Sequence, residues 1–302
     1  MKDTGTERRP GERAGTEAVQ LYALTPAGPR ALAVPAGARH AHELFDGLPL
    51  LVYSALRTFQ HERFLGLEHH LERTDRSLEL LGRPERLDRT RLRAALDRCA
   101  RAYPGTDAFV RFDVLAEPAR ALGTEERTLL ALSPFVPVPE AYRRTGVGVG
   151  IAGLSRTDPL IKKARFVLER RPYPLGSQEA YEHLIVDGRG YILEGTSSNF
   201  LVLVDGELRL TGDEALQGIT QRIVAELARG LGLAVVRRPV RRDELGSVSE
   251  AFLTGSTRGI LSVVAVEGVP IGAGRPGPWT ERLARAYDEH AQQAARPAVE
   301  HP

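Results

Sequence analysis

Cysteine is almost missing from this sequence. A single Cys99 in 302 residues excludes an internal disulfide framework and any cysteine-based metal cluster. Cys99 falls in a stretch expected to be helical, where a small core residue is the natural reading. No apolar run is long enough to span a bilayer, so no membrane partner is expected. No basic block stands out either. The 41 Lys and Arg are balanced by 39 Asp and Glu to a net charge of +2, which argues against nucleic acid as a partner. Residues 1–17 are polar and lack the apolar centre of a signal peptide, so 1–18 reads as a disordered tail and the reducing cytoplasm as the expected compartment. No internal repeat is found, and no metal site is expected.

What is present is ordinary for a packed protein. The hydrophobic fraction is 42% and the charged fraction 26%, with length for one large domain or two medium ones. Val19–Leu24 reads as a first strand with Arg30–Pro35 as its hairpin partner. Leu50–Phe59 has the β character of a buried strand. Helices are expected from Glu68, closed by Gly82 and Pro84, and over Arg89–Tyr103. Phe109–Leu115 and Arg127–Pro134 are strands. The proline-rich segment 137–145 then reads as a linker between a small domain, 19–136, and a larger one, 146–295. Beyond it, Leu160–Arg171 carries apolar residues at helical spacing, preceded within it by Lys162 and Lys163. Strands or hairpins follow at Ala180–Val186, Gly190–Leu193 and Phe200–Val204, with Asp205-Gly206 as a turn. An amphipathic helix covers Ile223–Leu231, and a terminal helix Trp279–Ala294.

The chain is organised around residues 191–220. Glu194 follows an apolar strand end and is trailed by Gly195, Thr196, Ser197, Ser198 and Asn199, which sets a carboxylate at the mouth of a sheet beside a hydroxyl-rich turn. Gly218-Ile219-Thr220 lead into a helix with Thr220 as the expected N-cap, and free N–H groups at a helix start hold anions. An acid, an anion cup and a polar turn suggest a phosphorylated cofactor with a basic ring nitrogen. Thr254-Gly255-Ser256-Thr257 make a second hydroxyl-rich turn. Singly, each stretch is also an ordinary hairpin edge or helix cap.

Taken in order, the stretches resemble the fold type IV pyridoxal-phosphate enzymes: branched-chain and D-amino-acid aminotransferases and aminodeoxychorismate lyases. The resemblance covers about residues 40–290. It rests on Leu56-Arg57-Thr58-Phe59, His70-Leu71-Glu72-Arg73, Ile161-Lys162, Glu194 to Asn199, Leu216-Gln217-Gly218-Ile219-Thr220 and Phe252 to Thr257. It implies a two-domain α/β (α+β) fold with pyridoxal 5′-phosphate at the domain interface, and a homodimer. Lys162 matches the lysine that forms the internal aldimine, with Lys163 as the competing neighbour. Glu194 matches the acid on the pyridinium nitrogen, which keeps the ring an electron acceptor. Arg73 matches the phosphate arginine. Ile219, Thr220, Thr257 and Ser256 match the rest of the phosphate cup, Leu216 a residue against the ring face, and Tyr53 and Arg57 substrate-side positions.

The chain also departs from the pattern. Arg165 stands where many members carry Asn. The segment from Glu43 to Val52 lacks the usual Asp-Arg-Gly and Gly-Asp-Gly, and Leu115-Ala116-Glu117 replaces a Thr-Arg-Gly. The cofactor half is kept and the substrate half has drifted. The resemblance implies an aminotransferase moving an amino group between an amino acid or amine and a 2-oxo acid. A lyase releasing pyruvate, or a cofactor-binding biosynthetic protein without transaminase turnover, are the alternatives.

Overall fold

The computed structural model describes residues 19–177 and 179–300. The expected N-terminal tail lies outside them. Two sheets carry the molecule. The first holds β1 (Gln20–Thr25), β2 (Gly28–Ala31), β3 (Leu50–Phe59), β4 (Arg63–Phe64), β5 (Ala108–Leu115) and β6 (Thr128–Pro134). Side chains along β5 alternate between faces, as the two-residue period of a strand requires. Val110 and Phe112 join Val52 and Leu56 of β3 under helices α1 (Leu67–Leu80) and α2 (Arg89–Ala102), which contribute Leu71, Leu78, Leu92, Leu96 and Cys99. The opposite face packs on the 3₁₀ turn Ala41–Phe45 through Leu44 and Phe45. That face also carries Tyr53 and Ala55 of β3, set against Asp113 and Arg111 of β5.

Between the sheets run α3 (Glu140–Thr145) and, after β7 (Val147–Ala152), α4 (Phe166–Glu169). The second sheet adds β8 (Glu182–Val186), β9 (Ile192–Gly195), β10 (Asn199–Val204), β11 (Glu207–Leu210), β12 (Ala234–Arg237), β13 (Glu250–Gly255), β14 (Gly259–Val266) and β15 (Val269–Pro270). Its order is β12-β11-β10-β13-β14-β7-β8-β9, with β15 on β14. The expected Asp205-Gly206 hairpin turn is present, with both residues at positive φ, 53° and 79°. Helices α5 (Ile219–Gly230) and α6 (Pro278–Ala294) cover one face through Ile223, Val224, Leu283 and Tyr287 against Leu201, Leu203 and Phe252. A last strand, β16 (Arg296–Pro297), returns to pair with β4, so the first sheet runs β16-β4-β3-β5-β6-β1-β2.

Two local expectations fail for physical reasons. Leu160–Arg171 is not one helix; only Phe166–Glu169 is helical. The Lys162–Ala164 stretch is instead held along the open edge of β3. The Tyr53 N–H donates to the Lys162 carbonyl at 3.1 Å and the Ala164 N–H to the Leu51 carbonyl at 3.0 Å. A short isolated helix is marginal, and a free strand edge offers the same amides better partners. Thr220 is not the N-cap. The cap is Gly218, in an extended conformation, and Thr220 is the second helical residue. A Cβ at Gly218 would stand 1.8 Å from Asn199 Oδ1, so any other residue there would force the Asn199 side chain to move.

Candidate active site

The two sheets meet at a cavity of about 150 Å³. From the first sheet, the register of β3 on β5 aims Tyr53, Ala55, Phe109 and Arg111 into it, and α1 adds Arg73. From the second come Glu194 at the end of β9, the turn through Asn199, Gly218 to Thr220 at the start of α5, and Thr254 to Arg258 between β13 and β14. Lys162 comes from the segment that lines the edge of β3. Of the residues expected from sequence, Tyr53, Arg73, Lys162, Glu194, Leu216, Ile219, Thr220, Ser256 and Thr257 all line this one cavity.

Arg57 does not. It borders two neighbouring hollows on the other side of Ile219 and Ser256. Its guanidinium lies between the rings of Phe59 and Phe135, at 4.1 and 3.9 Å, and pairs with Asp107 at 3.3 Å. Lys163 is also outside. Its ammonium pairs with Asp158 on the exposed side.

The ammonium of Lys162 makes no hydrogen bond among the described residues, and lies 5.1 Å from the centre of the Tyr53 ring. Burial lowers its pKa, Tyr53 opposes that shift, and Arg73 and Arg156 reinforce it. Burial acts to raise the Tyr53 phenol, but Lys162, Arg170, Arg111 and Arg156 outweigh it and bring the phenol down to about 8.

Glu194 is buried and ion-paired with Arg156, which also donates to the Ile161 carbonyl at 2.8 Å. Burial nonetheless holds the carboxyl above its ordinary pKa, against the pull of Arg156 and Lys162. A second buried acid, Glu182, stands beneath the polar turn. It accepts from the Ser197 N–H and hydroxyl and is ion-paired with Arg258. Gly195 is packed so closely on these groups that a Cβ would come within 2.5 Å of Ser198 Oγ and 2.6 Å of Glu182 Oε1.

Arg73 and the Ser256 turn are wired together across the two sheets. Arg73 donates to Ser54 Oγ at 3.2 Å, Ser54 Oγ bonds His70 Nδ1 at 2.7 Å, and His70 Nε2 faces Ser256 Oγ at 3.4 Å. His70 is fully buried and its pKa lies well below 6.5, first because of burial and then because of Arg73. Arg73 Nε is buried with no partner among the described residues. Burial lowers its guanidinium to about 10.

Sequence reasoning did not assign Arg156, Arg170, Glu182, Arg258, His42 or a site role for Arg111, yet all but Glu182 line the cavity. The concentration of basic residues between 156 and 171 was the available signal. It reads as surface charge until the chain is folded.

The family model for amino-transferase class IV matches residues 51–266. The chain belongs to the class IV aminotransferase family. Over 109 residues it is 38% identical to the branched-chain-amino-acid aminotransferase of Pseudomonas aeruginosa, covering 36% of this chain and 36% of that enzyme. The aligned part thus spans about a third of the length of the first curated relatives. A longer match, 25% identical over 199 residues, joins 61% of this chain to 67% of a putative branched-chain-amino-acid aminotransferase of Methanocaldococcus jannaschii. Among solved structures, a putative branched-chain amino acid aminotransferase of Thermotoga maritima superposes with a TM-score of 0.72 at 24% identity, over 90% of this chain and 95% of that one. A branched-chain amino acid aminotransferase of T.th., solved with pyridoxamine 5′-phosphate, gives 0.75 at 19% identity, over 93% and 98%. These neighbours establish the fold type IV architecture. No helix among the described residues is long and apolar enough to cross a membrane.

Proposed function

We propose that this class IV member is a pyridoxal 5′-phosphate-dependent aminotransferase, exchanging an amino group between an amino acid or amine and a 2-oxo acid. The observation that carries the reading is the placement of Lys162, Glu194 and Arg73 around one cavity, each on a separate part of the fold. The residues fit the cofactor. Among the described residues Lys162 Nζ makes no hydrogen bond and lies near the Tyr53 ring, Arg73 Nε is buried without a partner, and Glu194 is a buried carboxylate. A phosphate suits Arg73, the Ile219 and Thr220 amides at the start of α5, and the Ser256 and Thr257 turn. Glu194 suits a protonated ring nitrogen and Leu216 a ring face.

When bound, the cofactor supplies an electron sink for the bond broken at the donor's α carbon. The chain supplies the rest. Lys162 Nζ, whose burial favours the neutral amine, is the base that takes up and returns the proton at that carbon. Glu194 holds negative charge at a buried position in the cavity wall, and Arg156 fixes its orientation. His70, held neutral, positions Ser54 and Ser256 and so the walls of the anion cup. The fold supports domains at 19–136 and 146–295 flanking the site, and the family resemblance supports a cytoplasmic homodimer.

The test is to load the purified chain with pyridoxal 5′-phosphate and add amino donor alone. The reading expects a visible absorption band that the donor converts to that of pyridoxamine 5′-phosphate, with release of the matching 2-oxo acid. Release of pyruvate without that conversion, from an aminodeoxychorismate-type substrate, would instead support the lyase. No band at all would remove both.

A further inference from the structure

Six cationic side chains line the cavity: Arg73, Arg111, Arg156, Lys162, Arg170 and Arg258. Three are neutralised inside the fold. Arg111 gives two 2.7 Å bonds to the two oxygens of Asp113, Arg156 pairs with Glu194, and Arg258 pairs with Glu182. Among the described residues, Arg73, Lys162 and Arg170 have no carboxylate partner. The proposed function, on which this inference rests, employs Arg73 and Lys162. Arg170 is left over. Its strongest side-chain contact is a 3.5 Å approach to the Thr196 carbonyl. Arg170 is half-buried and no carboxylate lies within ion-pair distance of it among the described residues, so an anion that enters the cavity meets a guanidinium free to bind it.

The local fold explains why Arg170 points inward. It ends the single turn of α4, where its N–H donates to the Phe166 carbonyl at 3.1 Å. The next residue, Arg171, is exposed and donates to Asp46 at 2.5 and 2.6 Å. That bond ties the turn to the segment bearing His42, which lines the cavity as well. One arginine of the pair thus fastens the wall from outside, and the other faces the site. The charge of Arg170 is felt by Tyr53 and His42, which line the cavity with it, and by Glu182 beneath the polar turn. His42 cannot take its place. Burial, then His40 and the nearby arginines, lower its pKa to about 3, so it is neutral in ordinary buffers.

We propose that Arg170 binds the carboxylate of the amino donor, so that the enzyme selects amino acids over simple amines. This is a specificity-determining role. Arg170 does not take part in the bond changes.

The experiment uses the cofactor-loaded chain and calorimetric titration with 4-methylvalerate and, separately, with its uncharged amide. The wild-type protein should bind the carboxylate about ten- to a hundredfold more tightly, the range for a charged hydrogen-bonded pair. Arg170→Met should lose that preference while keeping the cofactor absorption band, and Arg170→Lys should recover part of it. Arg170→Gln serves the same measurement if the methionine variant does not fold. A methionine or glutamine variant that keeps the preference, or a wild-type protein that lacks it, would overturn the assignment. The donor-conversion assay separates the two readings. Failure to form pyridoxamine 5′-phosphate with any donor, alongside an intact carboxylate preference lost in Arg170→Met, sinks the aminotransferase reading and leaves the anion site standing.

Discussion

The Lys162 ammonium sits 5.1 Å from the centre of the Tyr53 ring, so each group titrates in the field of the other. In the cofactor-free protein one tyrosine should ionise near pH 8, the value of Tyr53. Ultraviolet difference absorbance reads this step. Tyr53→Phe should remove it. Lys162→Met should move it upward, because burial alone raises the phenol and Lys162 is the largest opposing charge. A wild-type titration with no early step would contradict this coupling.

Replacing Lys162 by alanine should abolish the visible band of the lysine-bound cofactor and essentially all turnover. Lys163→Ala should leave both in place, since Lys163 pairs with Asp158 away from the cavity. The reverse pattern would assign the chemistry to Lys163.

Glu194→Gln removes the partner of a buried arginine as well as the charge proposed for the ring nitrogen. Loss of one member of a buried pair costs about 3 kcal/mol, so unfolding of the cofactor-free variant should shift accordingly. Changing Arg156 to methionine in the same chain should recover part of that loss. Single-turnover rates should fall by orders of magnitude in Glu194→Gln while the cofactor stays bound. Arg73→Gln should do the opposite: cofactor affinity drops about ten- to a hundredfold, and the rate at saturating cofactor falls less. A Glu194→Gln variant that sheds cofactor yet transaminates normally would assign the ring nitrogen to another partner.

His70 makes stability depend on pH. Its folded-state pKa lies well below 6.5, so the unfolded chain binds the proton first as pH drops past 6.5. Stability is therefore full above that value and is lost on acidification, by about 1 kcal/mol between roughly pH 7 and pH 5.5. Denaturant unfolding of the wild type and His70→Gln at those two pH values isolates this share. Equal pH slopes in the two proteins would rule it out.

Gly218→Ala should destabilise the start of α5. The new Cβ would collide with Asn199 Oδ1, whose side chain holds the Leu216 carbonyl at 2.7 Å. A cost of about 1–3 kcal/mol is expected, with weaker cofactor retention. An unchanged melting temperature and cofactor dissociation constant would show that the turn adapts freely.

Much of this site is readable in the sequence because local chemistry announces it. Glu194 with its hydroxyl-rich turn, and Gly218-Ile219-Thr220 before a helix, stand in continuous stretches whose residue types have local meaning. Leu50–Phe59 and the hairpin at Asp205-Gly206 are legible for the same reason. The failures share a cause too. Lys162 reads as part of a helix because apolar spacing does not report the open edge of β3, a strand about a hundred residues earlier. Arg57 follows Tyr53 by four residues and shares its face of the strand, yet β3 carries it past the cavity to Phe135 and Asp107. Arg156 and Arg170 read as surface charge until Glu194 and the cavity wall are set beside them. Pairing across distant segments decides such residues, and a linear pattern does not encode it.

The return of β16 to β4 has a consequence for biogenesis. The first sheet acquires its outermost strand from residues 296–297, after all of the second sheet has been synthesised. Until residue 296 has been made, the edge of β4 has no β16 to pair with. Long-range closure of this kind is slow and leaves a strand edge open to wrong partners. Ribosome-stalled chains released before residue 296 would be the species most in need of a chaperone.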